Sequence, residues 1–263
     1  MKKFARLFTA VVLVLALAAM MTACGKESKE PAQGQDQPKE VVYKVGTEPS
    51  FAPFEMLDEK TGEITGFDID LIKAIAEDQG LKLEIVNLGF DGLIPALQTG
   101  NIDIVASGMS ITEERLKEVD FSDPYIDAGL AIAVTANNTT INGAEDLKGK
   151  VVAVQIGTTG AQKAQELKDQ GLIKEIKTYN TVDVVIMELV NGGVDAIIND
   201  KPVTEAFMAK QPGKIKIVGE TLVSDSYGFA VKKGNSELLS KINAGLKNVK
   251  ESGKFDEIMK KYF

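Results

Sequence analysis

From residue 41 onward, apolar positions recur in two rhythms. Residues 41–47, 81–86, 102–106, 130–134, 151–155, 175–179, 196–198, 214–218 and 227–231 are short apolar or alternating runs that predict strands. Between them, residues 68–79 place Ile69, Ile72, Ile75 and Ala76 on one helical face and stop at Gly80. Residues 93–98, 161–169, 182–191, 236–251 and 255–261 predict further helices. Strands interleaved with helices of this size predict an α/β fold with largely parallel sheets.

Two segments pass from a strand through a glycine-containing loop into a helix, at 106–114 and 154–161. The first lies within 101–115, NIDIVASGMSITEER. A strand end is followed by the small residues Ser107, Gly108 and Ser110, and Thr112 is placed to cap a helix. Such a turn can cradle an anion, and Arg115 adds a planar fork suited to a carboxylate. Spacing alone favours a plainer role for Arg115, as a surface residue pairing with Glu114 or Glu118. Around Gly157 neither GxxxxGK[ST] nor GxGxxG is present, so a nucleotide site is not indicated.

The first forty residues follow neither rhythm. Lys2, Lys3 and Arg6 precede an apolar stretch from Leu7 to Met21, broken only by Thr9 and short for a membrane span. It closes on Met21-Thr22-Ala23-Cys24-Gly25, which resembles a bacterial lipobox with Met21 where Leu is usual. Residues 1–23 are thus expected to be a lipoprotein signal peptide, with Cys24 lipidated. Residues 24–40 hold no aromatic residue and are rich in Pro, Gln, Gly, Lys and Glu, the composition of a disordered tether. The expectation is a protein held at the extracellular face of the bacterial cell membrane by its lipid.

Charge and composition narrow the chemistry. Of 30 basic residues three lie in the leader, leaving 27 against 38 acidic ones, a net of −11. An acidic body argues against nucleic acid as a partner. The chain has no histidine, which removes Ser-His-Asp and Cys-His catalysis and the commonest zinc ligand. No metal or cofactor is expected.

The blocks GTEPSFAPFE (46–55), GFDIDLIKAIA (66–76), FDGLIPALQTGNIDIVASGMSITEER (90–115), VDFSDPY (119–125), LKGKVVAVQIGTTG (147–160), VDAIIND (194–200), YGFAVKKG (227–234) and LKNVKESGKFDEIMKKYF (246–263) stand in one order over the whole body. Together they resemble the polar amino-acid solute-binding proteins of ABC importers, a family that includes glutamine-, histidine- and arginine-binding proteins. The resemblance implies a two-lobed, type II periplasmic-binding-protein (Venus-flytrap) fold. Lobe 1 would be 41–124 with 228–263, lobe 2 would be 130–222, and the hinges would lie near 125–129 and 223–227. It also implies roles. Arg115 would clamp the ligand α-carboxylate with Ser107, Ser110 and the backbone at Gly108, Thr158 and Thr159. Asp200 would take the α-ammonium, and Phe51 and Phe90 would sandwich the side chain. Glu48, Gln155 and Asn199 fall at positions that vary with specificity.

The chemistry fits: a zwitterion needs one cation and one anion, and aromatic faces suit an aliphatic stem or a cation. Plainer readings remain beside these roles, core packing for the phenylalanines and a helix N-cap for Asp200 ahead of Lys201-Pro202. With Arg115 and Asp200 assigned to the ligand backbone, Glu48 is left over. A buried carboxylate wants a donor, so arginine or another basic amino acid is expected first, then glutamine. The implied partners are an ABC permease and its ATPase, with the protein itself a monomer. Two alternatives share the fold: a cyclohexadienyl or arogenate dehydratase using Glu48 as general acid, and a ligand-sensing subunit of a receptor.

Overall fold

The computed structural model describes residues 41–263; the leader, Cys24 and the tether fall outside the described residues. The chain begins with β1 (Val42–Thr47), then forms a small antiparallel sheet of β2 (Ser50–Phe51), β3 (Glu55–Leu57) and β4 (Ile64–Thr65). Next come α1 (Phe67–Gln79), β5 (Lys82–Asn87), α2 (Leu93–Thr99), β6 (Ile104–Val105), α3 (Glu113–Glu118) and β7 (Val119–Phe121). The second half runs β8 (Ile126–Thr135), β9 (Val151–Gln155), α4 (Thr159–Asp169), β10 (Glu175–Tyr179), α5 (Val182–Val190), β11 (Ala196–Asp200), α6 (Lys201–Lys210) and β12 (Ile215–Tyr227). It closes with β13 (Ala230–Lys232), α7 (Ser236–Glu251) and α8 (Lys254–Tyr262).

Two five-stranded sheets carry the fold, in the orders β5-β1-β6-β13-β7 and β10-β9-β11-β8-β12. The expectation of largely parallel sheets needs correction. In each, one strand, β13 or β8, runs against the other four, so two of the four pairings are parallel and two antiparallel. The cause is the path of the chain, which leaves the first sheet after β7 and returns to it at β13. Outgoing β8 and returning β12 therefore run side by side, pairing Ile126 with Tyr227 through Leu130 with Val223.

Burial explains the elements. Leu130 to Val134 are covered on both faces, as expected of a central strand. Leu238, Ile242, Leu246 and Val249 repeat at helical spacing on α7, which packs on α1 through Ile75. Each such aliphatic side chain contributes about 1.5–3 kcal/mol by leaving water. Phe54, expected in the core, is fully buried against Phe67, Tyr227 and Phe263, with ring centroids 5.1–6.1 Å apart.

Three local expectations change. The strand at 102–106 is only Ile104–Val105. The run at 227–231 is split, because Tyr227 ends β12, Gly228 carries the crossing and β13 begins at Ala230. The small sheet, β7 and α6 lie in segments too short or too polar to stand out by periodicity.

Candidate functional site

Nine of the expected residues line one cavity of about 10 Å³: Phe51, Phe90, Gly108, Ser110, Arg115, Gln155, Thr158, Thr159 and Asp200. That is about the room of one water molecule, far below the ~300–1,000 Å³ common for drug-sized ligands, so the walls are closed on each other. The β6–α3 loop forms one wall and the starts of α4 and α6 the other.

Arg115 is where the surface reading fails. Thr112 caps α3 by accepting the Arg115 backbone N–H at 3.2 Å, as its position predicts, and this turns the side chain inward. The residue is 6% exposed. Its Nη1 donates to the Ser110 carbonyl at 2.8 Å and its Nη2 to the Gly157 carbonyl at 3.1 Å. The Phe90 ring lies under it, 5.4 Å from Cζ to centroid. Burial lowers its pKa, and Asp200 and Asp225 pull it back up. Beside it Gly108 has φ +48°, and a Cβ there would stand 2.6 Å from the Phe51 ring. Only glycine lets the loop lie against that ring. The Gly108 N–H is held by the buried Asp68 carboxylate at 2.8 Å, which also accepts from the Tyr125 hydroxyl at 2.6 Å.

Asp200 ends β11 and occupies the N-cap position of α6, as expected, but its side chain makes no capping hydrogen bond and is left for the cavity. Its Oδ1 accepts from the Tyr227 hydroxyl at 2.7 Å. Burial pushes its pKa up to about 7, opposed by the Tyr227 bond and by Arg115. The Thr158 hydroxyl accepts from Ala161 N and donates to the Gln155 carbonyl, so the first turn of α4 presents backbone N–H groups at the cavity wall.

Three expected residues lie outside the lining. The Ser107 hydroxyl accepts from Glu48 N and donates to Glu55 Oε1, both at 3.0 Å. Asn199 Nδ2 donates to Thr204 Oγ1 at 3.2 Å, because neighbouring residues on a strand face opposite ways and Asp200 has the cavity side. Glu48 Oε2 accepts from Ser50 Oγ at 2.6 Å and Gln155 Nε2 at 3.0 Å. The premise that Glu48 has no protein donor therefore does not hold. Burial still raises its pKa, with Asp183 adding to the rise.

Sequence reasoning missed Tyr227, Ser50, Asp225, Asp68 and Tyr125. Ser50 joins the halves, donating to Glu48 and accepting from Val182 N at 3.1 Å. Tyr227 stood inside a recognised block, and its position at the end of the returning strand was the available signal.

A two-lobed fold joined by two crossings, with opposite charges meeting in one small cavity at the junction, defines a solute-binding protein of the periplasmic type. Residues 43–263 match the model of the bacterial extracellular solute-binding proteins, family 3, and the chain belongs to that family. It is similar to a probable histidine-binding protein of Neisseria gonorrhoeae, with 35% identity over 96% of this chain and 94% of that one. Among solved structures it resembles an ancestral arginine-binding protein bound to arginine, with 48% identity, a TM-score of 0.80 and coverage of 84% of this chain and 98% of the other. A structure of an ancestral arginine-binding protein bound to glutamine gives 48% identity and a TM-score of 0.79, over 84% and 97% of the two chains.

Proposed function

We propose that the protein captures a polar L-amino acid between its lobes and delivers it to an ABC permease and its ATPase. The observation that carries this is the opposition of Arg115 and Asp200 across one small cavity walled by Phe51 and Phe90. Arg115 takes the α-carboxylate with Ser110 and the backbone of Gly108, Thr158 and Thr159. Asp200 takes the α-ammonium. Gln155 meets the ligand side chain, with Glu48 behind it. Ser107 and Asn199 act from the second layer by fixing Glu48, Glu55 and Thr204.

Arginine or another basic amino acid remains the first choice. Glu48 already has two neutral donors, so the support shifts to overall charge: Asp200 faces the one guanidinium, and Glu48, a second buried carboxylate, lies behind Gln155. An added cation is favoured in such a field. The similar structures that hold arginine and glutamine agree with this order. Hinges at 125–129 and 223–227, with lobes of 41–124 plus 228–263 and 130–222, fit the paired β8–β12 ribbon. Anchoring by lipidated Cys24, a tether over 24–40 and a monomeric state complete the proposal. We read the protein as a carrier and not a dehydratase, because Glu48 accepts two hydrogen bonds and lies outside the cavity lining, a poor place for a general acid.

Titration calorimetry with the twenty amino acids, with prephenate as a further titrant, tests this. Binding of arginine, lysine, histidine or glutamine is expected, and Arg115→Ala is expected to lose it. Binding of none, or turnover of prephenate, would overturn the reading.

A further inference from the structure

Asp225 lies on β12, paired in register with Ala128 of β8, on the strand that returns the chain to the first lobe. Both of its carboxylate oxygens are buried without a hydrogen-bond partner. A buried carboxylate in that condition is costly and calls for an explanation. The groups that face it are few. Arg115 comes from α3, with Glu114 acting on the same guanidinium; Asp200 comes from the end of β11, and Tyr227 is two residues along its own strand. The Ser110 hydroxyl is beside it without closing a bond of ordinary geometry, and β8 offers only Ala128. Asp127 of β8 is engaged elsewhere, with the Ser226 hydroxyl at 3.0 Å. The neighbouring backbone is tied to the binding loop, since Ile111 N donates to the Ser226 carbonyl at 2.9 Å and Ser110 bridges Tyr227.

We propose that Asp225 is the resident counter-anion of Arg115 and that ligand capture discharges it. When an α-carboxylate docks on the guanidinium, two anions compete for one cation at a partly buried site. Asp225 then takes a proton from solvent and becomes the neutral acid, able to donate to Ser110 or to the incoming carboxylate. Asp200 does the reverse, because an ammonium beside it favours its ionised form. Capture thus releases a proton at Asp200 and takes one up at Asp225, and the net count stays small. This rests on the amino-acid-binding reading above.

The test compares wild type with Asp225→Asn, titrating L-arginine and L-glutamine into each in two buffers of different ionisation enthalpy. At about pH 8, where protonating Asp225 costs most, Asp225→Asn is expected to bind at least about fivefold tighter, the advantage shrinking toward one near pH 5. It should also take up fewer protons per ligand than wild type. Independently of the variant, the Asp225 side-chain carbonyl carbon of the wild type should move toward its protonated shift on saturation. Equal affinities at both pH values, weaker binding by Asp225→Asn, or an unmoved carbon shift would overturn the inference while leaving amino-acid capture intact. Wild type that binds neither amino acid would overturn both.

Discussion

Each crossing between the lobes carries a tyrosine that donates to a buried aspartate, and the two pairs serve different ends. Tyr125, just before β8, donates to Asp68 at 2.6 Å, and Tyr227, at the end of β12, donates to Asp200 at 2.7 Å. The tyrosine rings are 6.4 Å apart, and burial drives both aspartates upward in pKa. The difference lies in what else each aspartate touches. Asp68 also holds the Gly108 N–H, faces the buried Glu55 and has no cation acting on it among the described residues, so it fixes the binding loop from behind. Asp200 opens onto the cavity with Arg115 in its field. The same hydrogen bond therefore serves architecture in one place and recognition in the other.

The largest separation is expected from removing the aspartates. Asp200→Ala should weaken amino-acid binding by at least about 30-fold, the effect of deleting one partner of a buried charge pair. Its stability should fall less than that of Asp68→Ala, since only the Tyr227 hydroxyl loses its partner. Asp68→Ala should show the reverse emphasis. It strands the Gly108 N–H and the Tyr125 hydroxyl, at about 2 kcal/mol or more, which lowers the melting temperature by about 4–8 °C. Calorimetry and thermal melts on both variants check this, and matching profiles would erase the distinction.

Smaller effects should follow from the tyrosines. Tyr227→Phe removes a donor that orients Asp200 and is expected to cost several-fold in affinity with little change in the melt. Tyr125→Phe should lower the melt by a few degrees and leave affinity nearly unchanged. A large affinity loss in Tyr125→Phe would show that the hinge side of Asp68 also sets the binding geometry.

A further separation is read in pH. The folded pKa of Asp200, about 7, lies above the ~3.9 of an unfolded aspartate. The folded form therefore binds more protons between these values, and stability falls as pH rises through that window. Relative to Asp200→Asn, ligand-free wild type should lose stability between about pH 4 and 7, read by urea unfolding. A flat difference would mean that Asp200 stays ionised throughout.

Much of the site was legible from residue order. Thr112 caps its helix as expected, and Thr158, another small polar residue ahead of a helix, caps α4. Arg115, three residues past its cap, turns to the cavity for that reason. Strand parity was not legible. Gln155 and Asp200 reach the cavity lining while Asn199, one residue away, faces α6, and no local pattern shows which parity faces a cleft formed by another lobe. The partners of Glu48 were hidden for a similar reason, since Gln155 is 107 positions away and meets it only when the lobes touch. Asp225 gave no signal at all. It is a polar residue at the end of a long strand, and its meaning comes from Arg115.

The bond from Arg115 to the Gly157 carbonyl bears on how reliably a transporter can read its carrier. It joins the lobes with protein atoms alone, as do Gln155 with Glu48 and Ser50 with Val182. Contacts of this kind set a closing bias that belongs to the chain itself, and an amino acid in the cleft adds only the difference between its affinities for the closed and open arrangements.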